Sequence, residues 1–286
     1  MKISVACESP KYFPAIKNAG FDGIDFSDVL VENAITDSSY KQYAALLNNL
    51  ADDYGIKYYQ THAPIIGMLS GEHGMDFAVD RIKRSIEFAS LIGAEIAVIH
   101  PIKYSEFATD PEFVYEENMN YISKLIPACK DYGVKIAIEN MRMSALDEKM
   151  KRDGVCADPT EFKKYIDSFD PSFVTGCLDL GHATLAKREP QDVLMDMGSK
   201  YITSLHFHDN DYVNDCHQLP CTMKMNWDEI CKSIAEIGYT GHFNLEVISF
   251  IKTIEYDEII PDAFNFMYKV SKRLVDKIEK YKTAQL

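Results

Sequence analysis

Residues 201–217 read YITSLHFHDNDYVNDCH, an apolar run that ends abruptly in histidines and aspartates. The first residues have the β-branched and apolar composition of a buried strand. His206 and His208 follow two positions apart, so their side chains point to the same face of that strand. Imidazoles and carboxylates gathered in this way are typical metal ligands. The stretch therefore predicts a strand whose end forms the rim of a metal-centred active site.

Similar apolar runs alternate with amphipathic helical stretches along the chain. Eight strands are predicted, at Lys2–Cys7, Gly23–Phe26, Lys57–Thr61, Glu95–His100, Lys135–Glu139, Val174–Asp179, Ile202–His206 and Phe243–Val247. Helices are predicted at Tyr40–Tyr54, Ala78–Ile92, Pro111–Tyr132, Phe162–Phe169, Trp227–Ile237 and Ile260–Tyr281, with a further one after Asp179. This alternation predicts an α/β fold, a closed (β/α)8 TIM barrel. An open doubly wound sheet is the alternative, but no Gly-rich nucleotide-binding loop follows the first strand.

The composition limits the organisation and the partners of the protein. The 286 residues contain no Pro-, Gly- or Ser-rich linker, so one domain is expected over residues 1–286. The net charge of -14 disfavours nucleic acid and anionic membranes. The first strand turns polar at Glu8, and no run approaches the length of a membrane span, so a cytoplasmic location without a membrane partner is expected. A homo-oligomer is left open.

Ligand-type side chains recur where the predicted strands end. They are His62, His100, Glu139, Asp179 followed by His182, His206 followed by His208, and Glu246. Each one alone could simply begin the next helix, but the carboxyl ends of barrel strands meet at one face, which is where barrel active sites lie. A buried carboxylate needs a cation or hydrogen-bond donors. Two glutamates, one aspartate and one imidazole suit a divalent metal such as Mn, Mg, Co or Zn.

These motifs resemble those of the xylose-isomerase-like barrels, which include sugar isomerases, ketose 3-epimerases and endonuclease IV. The resemblance runs from GFDGID at residues 20–25 to the G-Y-x-G-x-x-x-L-E pattern at residues 238–246. The H-x-x-[DE] pattern of the seventh strand fits residues 206–209 and also residues 208–211, and we choose His206 as the ligand. The resemblance implies a shared metal site formed by Glu139, Asp179, His206 and Glu246.

The same resemblance implies roles for the remaining histidines. In small-sugar epimerases the histidine that matches His182 contacts the substrate, and we predict substrate contacts for His62, His100, His182, His208 and His217. In endonuclease IV the matching residues bind further zinc ions. A multinuclear site would therefore use a second set of ligands, formed by His62, His100, His182, Asp215 and His217.

Two departures from the family patterns separate the possible functions. Residues 219–227 replace the Gly-x-Gly loop of the nuclease and of many isomerases, and Ala145 stands where D-psicose epimerases carry a second glutamate. We expect a metal-dependent isomerase or epimerase of a small sugar, sugar phosphate or polyol, in which Glu139 and Glu246 exchange protons through an enediolate. The alternatives are a multi-zinc AP endonuclease or phosphodiesterase, a dehydratase on the same metal platform, and a non-catalytic sugar-binding barrel.

Overall fold

A computed structural model describes residues 1–27, 39–65, 74–102, 110–143 and 153–284. Parallel strands pair in chain order and close into a barrel. The strands are β1 (Ile3–Cys7), β2 (Gly23–Ser27), β3 (Tyr58–His62), β4 (Ile96–Ile99), β5 (Lys135–Glu139), β6 (Val174–Asp179), β7 (Ile202–Phe207) and β8 (Phe243–Leu245). Closure occurs where β1 pairs with β8 as well as with β2. The predicted (β/α)8 TIM barrel is confirmed.

Helices surround the barrel between successive strands. They are α1 (Phe13–Ala19), α2 (Ser39–Tyr54), α3 (Met75–Leu91), α4 (Pro111–Tyr132), α5 (Pro159–Asp167), α6 (Leu180–Leu185), α7 (Pro190–Met197), α8 (Trp227–Glu236), α9 (Ile248–Lys252) and α10 (Ile260–Ala284). Asp110 and Asp158 cap α4 and α5 by accepting hydrogen bonds from first-turn N–H groups, and each precedes a proline at the first helical position. None of the described helices is long and apolar enough to cross a membrane.

The strand ends differ slightly from the predicted ones. Strand β4 ends at Ile99 and β8 at Leu245, so His100 and Glu246 each lie one residue beyond a strand instead of inside it. The N–H of Glu246 still donates to the carbonyl oxygen of Phe207 at 3.0 Å, which holds its backbone at the carboxyl face of the barrel. Nε2 of His100 lies 3.0 Å from Oε2 of Glu139, so this side chain lies at the same face.

The stretch after Asp179 forms two short helices, α6 and α7, in place of the single predicted one. The Asp179 carboxylate caps α6 by accepting a hydrogen bond from the N–H of His182 at 2.6 Å. Six residues are too few to show an amphipathic period in a sequence, which is why this helix carried little signal. The cap places Asp179 and His182 on the same turn at the barrel mouth.

The two sides of the barrel interior differ in polarity. On β4, β5 and β6 a small apolar cluster of Val98, Ala137 and Cys177 faces inward, separate from the main core between strands and helices. The inward positions of β7, β8, β1, β2 and β3 are polar and buried, namely Ser204, Asn244, Ser4, Asp25 and Gln60. The ligand-type residues lie one layer above, because inward side chains alternate along each strand.

Candidate metal centre

Four predicted site residues converge at the carboxyl ends of β5 to β8. Nδ1 of His206 lies 3.2 Å from Oε2 of Glu246, 3.6 Å from Oε1 of Glu139 and 3.7 Å from Oδ2 of Asp179. These side chains are buried, with Glu246 the most accessible at 8% exposure. Nδ1 of His206 therefore lies within 3.7 Å of all three carboxylates. The ligand atoms of Glu139, Asp179 and His206 lie within 4.8 Å of one another, as do those of His62, His206 and Glu246.

This donor set fits a divalent cation. Nδ1 of His206 and Oε2 of Glu246 are buried and have no hydrogen-bond partner within the described ranges. Burial opposes the charged form, yet neighbouring imidazoles, His100 foremost for Glu139 and His182 foremost for Asp179, hold the pKa of both carboxyls well below the ordinary range. Ionised carboxylates that face an unpartnered imidazole nitrogen match the oxygen-rich ligand sets of Mn, Mg, Co and Zn.

His208 occupies a different place from His206. Its Nε2 lies 2.9 Å from Oδ1 and 3.0 Å from Oδ2 of Asp179, so the ring bonds the carboxylate from its outer side. The ring packs against Gly181, where an added Cβ would lie only 2.1 Å from Cε1 of His208. It also stacks on His217, with ring centroids 4.1 Å apart. His206 thus faces Glu139, Asp179 and Glu246, while His208 contacts Asp179 from outside. His208, His217 and Glu246 also have the spacing of a metal-binding group.

His62 and His100 meet at the other oxygen of Glu139. Their Nε2 atoms lie 3.2 and 3.0 Å from Oε2 of that carboxylate, and the three residues have the spacing of a metal-binding group. Burial opposes a charged His62 ring, but the hydrogen bond and the charge of Glu139 raise its pKa to about 9. Burial dominates at His100 and lowers its pKa.

His182, Asp215 and His217 form a third such group at the outer rim. Nε2 of His217 lies 3.2 Å from Oδ1 of Asp215, and Nε2 of His182 lies 3.5 Å from Oδ2. Burial lowers the pKa of His217, but the charge of Glu246 and the hydrogen bond that the ring donates to Asp215 raise it to about 9. Arg142 closes this group at the solvent side, with Nε 3.2 Å from Oδ2 of Asp215.

Backbone carbonyls orient three of these rings in the same way. The Nδ1 atoms of His62, His182 and His217 lie 2.9, 2.9 and 3.2 Å from the carbonyl oxygens of Ala63, Asn140 and Glu246, respectively. A ring that donates its Nδ1–H to a carbonyl presents Nε2 to the site, which is the usual support of a metal-ligating histidine. The same orientation also serves a histidine that accepts a proton from, or donates one to, a substrate hydroxyl.

Sequence reasoning missed the role of two polar residues. Asn140 ties β5 to β6, because its Oδ1 accepts from the N–H of Asp179 at 2.7 Å and its Nδ2 donates to the carbonyl oxygen of Asp179 at 3.1 Å. Asp209 is fully buried and accepts from Nε1 of Trp227 at 2.9 Å and from the N–H groups of Met223 and Met225 at 3.1 Å. Only the H-x-x-D spacing pointed to Asp209, and it did not reveal which groups the carboxylate contacts.

The two departures from the family patterns have different outcomes. Ala145 lies outside the described residues. The segment that replaces the Gly-x-Gly loop folds back onto Asp209, whose backbone pairs with that of Gln218 in an antiparallel bridge. In this loop Cys221 takes a φ of 68° and His217 one of 43°, left-handed values that glycine adopts more readily. The loop is therefore held by the buried Asp209 carboxylate instead of by glycine geometry.

Comparison with known proteins identifies the class. Residues 13–270 match the sequence model of the xylose isomerase-like TIM barrel, so the chain belongs to that family. An uncharacterized protein of Methanocaldococcus jannaschii is 24% identical over 237 residues, covering 81% of this chain and 77% of that protein. A fructoselysine 3-epimerase of Shigella flexneri is 22% identical over 188 residues, covering 64% of this chain and 63% of the epimerase.

Solved structures share the barrel over its whole length. A D-tagatose 3-epimerase-like protein superposes with a TM-score of 0.78 at 21% identity, covering 100% of this chain and 99% of that one. The IOLI protein with a bound zinc atom superposes with a TM-score of 0.72 at 17% identity, covering 98% and 99% of the two chains. At these identities the likeness establishes the fold.

Proposed function

We propose that the protein is a divalent-metal-dependent isomerase or epimerase of a small sugar, sugar phosphate or polyol. The observation that carries this proposal is the convergence of Glu139, Asp179 and Glu246 on Nδ1 of His206. Two of these ligands are glutamates, from β5 and from the end of β8, so they approach the centre from different sides. The fold shared with sugar epimerases and the zinc atom bound to the IOLI protein support the proposal.

The proposed reaction is a transfer of protons between the substrate and the two glutamates. A divalent cation held by the four side chains supplies Lewis-acid polarisation of a substrate carbonyl and its neighbouring hydroxyl. Glu139 is ionised at neutral pH, the form that a general base requires, because nearby imidazoles hold its pKa well below the ordinary range. One glutamate, as the carboxylate, removes the proton from the carbon beside the carbonyl, which gives an enediolate. The other enters the step in its protonated form and delivers its proton from the other side.

The surrounding histidines suit a hydroxylated substrate. His62, His100, His182 and His217 line the mouth of the barrel around the carboxylates, and His208 is fully buried against Asp179. Imidazole nitrogens both donate and accept hydrogen bonds, which matches the hydroxyl groups of a sugar. The net charge of -14 favours a neutral or singly charged small molecule over a nucleic acid. The proposed partner is accordingly a small carbohydrate.

Deuterium exchange tests this proposal. The full chain, loaded with Mn²⁺ or Zn²⁺, is incubated in D₂O with D-fructose, D-tagatose, D-psicose and ketose phosphates, and exchange is followed by proton NMR. We expect deuterium at the carbon beside the carbonyl of at least one sugar. Glu139→Gln and Glu246→Gln should each slow the exchange by about 100-fold or more. Glu236→Gln, at an exposed position on α8, serves as the matched control. Near-normal exchange in both site variants would contradict the proposal.

A second candidate is a multinuclear phosphoester hydrolase. The observation that favours it is the presence of further groups with metal-binding spacing, among them one around Oε2 of Glu139, one around Asp215 and one formed by His208, His217 and Glu246. Metal analysis separates the two candidates. One tightly bound ion per chain supports the sugar enzyme. Three zinc ions per chain, together with hydrolysis of bis(p-nitrophenyl) phosphate, would support the hydrolase.

A further inference from the structure

A polar network lies inside the barrel, directly beneath the candidate metal centre. Its members come from five strands and are all buried, namely Ser4, Asp25, Gln60, Ser204 and Asn244. TIM barrel interiors are usually filled by bulky branched apolar side chains. Burying polar groups is costly unless they are hydrogen-bonded, so a network of this size at the barrel centre calls for a functional explanation.

The network is built around the Asp25 carboxylate. Its Oδ2 accepts hydrogen bonds from Nε2 of Gln60 at 2.9 Å and from Nδ2 of Asn244 at 2.7 Å. The oxygen atom of each amide also accepts a hydrogen bond, and this fixes the orientation of the amide. Ser204 donates its hydroxyl to Oε1 of Gln60 at 2.5 Å, and Ser4 donates to Oδ1 of Asn244 at 2.9 Å. The two NH₂ groups are thereby turned toward Asp25, and the carboxylate is held rigidly.

The same carboxylate faces the imidazole of His206 from below. Nε2 of His206 lies 3.7 Å from Oδ2 of Asp25 and 3.3 Å from Nε2 of Gln60. Because Nδ1 of this ring faces the three carboxylates of the centre, a ring that gives its Nδ1 lone pair to a cation carries its proton on Nε2. The Gln60 amide nitrogen is a donor and cannot accept that proton. The Asp25 carboxylate is the negatively charged group on this side of the ring, at ion-pair distance and beyond the reach of a hydrogen bond.

We propose that Asp25 is a positioning residue for His206, with Gln60 and Asn244 as its supports. The negative charge of the carboxylate attracts the Nε2–H edge of the imidazole, which keeps the ring oriented with its Nδ1 lone pair directed into the centre. Such an outer carboxylate on a ligating histidine raises the basicity of the ligand and holds its geometry. Asp25 lies a layer below the site, so it acts through His206. This inference rests on the metal centre of the proposed function.

Zinc affinity of the full chain, measured by calorimetry, tests the role. Asp25→Asn removes the negative charge, and we expect it to weaken zinc binding by about 10- to 100-fold. Ser271→Ala is the control, because it deletes a buried side-chain hydrogen bond on α10, outside this network and away from His206. It should leave zinc affinity within about threefold of the wild type, since a purely structural loss does not alter the ligand. Thermal unfolding of both variants reports the structural cost separately.

The variants test the role of Asp25 and the metal centre separately. Wild-type zinc affinity in folded Asp25→Asn would overturn the role of Asp25 while leaving the centre intact. If Asp25→Asn does not fold, Asn244→Ala decides, because it removes a donor that fixes the Asp25 carboxylate. Zinc binding weakened by more than threefold supports the role, and wild-type zinc affinity overturns it. If His206→Ala binds zinc as tightly as the wild type, the metal centre of the proposed function fails, and the role of Asp25 fails with it.

Discussion

Nδ1 of His206 and Oε2 of Glu246 lie 3.2 Å apart, and neither atom has a hydrogen-bond partner in the described part of the chain. Both atoms are buried at the ends of neighbouring strands. An unpartnered buried polar atom is costly, and two that face each other are best explained by a group that both would bind. A cation between them satisfies the imidazole nitrogen and the carboxylate oxygen together.

The two histidines of the seventh strand should differ in their effect on metal binding. His206→Ala removes the nitrogen that faces all three carboxylates, so we expect no measurable Mn²⁺ or Zn²⁺ binding at this centre. His208→Ala removes only the outer partner of Asp179 and should weaken binding by about 10- to 100-fold. Calorimetric titration of the two variants checks this order. A reversed order would make His208 the ligand.

Metal binding should release protons. The pKa of His62 is raised from the ordinary value of 6.5 to about 9, so its ring carries a proton at neutral pH in the metal-free chain. A cation bound to Glu139 weakens the attraction that holds this proton, so affinity should rise as the pH increases from 6.5 toward 9. Calorimetric metal titrations in buffers of different ionisation enthalpy count the protons released on binding. The His62→Gln variant should release fewer protons than the wild type. Affinity that is independent of pH would contradict the expectation.

The raised pKa of His62 also predicts how the stability of the metal-free protein varies with pH. A proton bound more tightly in the folded chain stabilises it fully below pH 6.5, and this contribution is lost as the pH rises through about 9. Thermal unfolding of the wild type and of His62→Gln should therefore diverge below pH 6.5 and converge above pH 9. Parallel curves over the whole range would show that the ring does not gain its proton on folding.

Asp209 should be needed for the loop that carries Asp215 and His217. Asp209→Ala leaves the N–H groups of Met223 and Met225 and the indole of Trp227 without their acceptor, and should lower the free energy of unfolding by at least about 3 kcal/mol. Urea unfolding of the metal-free chain measures the loss. The exposed Asp53 on α2 is the control, and Asp53→Ala should cost less than about 1 kcal/mol. Equal losses would contradict the special role of Asp209.

Gly181 should be intolerant of a side chain. Gly181→Ala places Cβ 2.1 Å from Cε1 of His208, so the ring must leave the Asp179 carboxylate or the helix must shift. We expect a destabilisation of about 1 to 3 kcal/mol and metal binding weaker by about tenfold. At Gly74 an added Cβ meets nothing within 4 Å, which makes Gly74→Ala the control. Wild-type metal affinity in Gly181→Ala would mean that His208 does not need its present position.

The sequence was sufficient for the barrel because strand and helix periods repeat without interruption. It also indicated the strand-end residues, since a buried carboxylate such as Glu139 stands out at the end of an apolar run. The inward polar layer was missed for a physical reason. Gln60 and Ser204 are single polar residues in the middle of strands, and only barrel closure shows that they face each other. Local periodicity carries no information on contacts between strands that are distant in the chain.

Anomalous diffraction from crystals of the manganese-loaded full chain tests the metal centre most directly. The account predicts a peak at about 2.0 to 2.2 Å from Nδ1 of His206 and from carboxylate oxygens of Glu139, Asp179 and Glu246. It also predicts that His208 does not touch the ion. A manganese peak bound through His208, or no peak among these four side chains in protein that binds manganese in solution, would contradict the account.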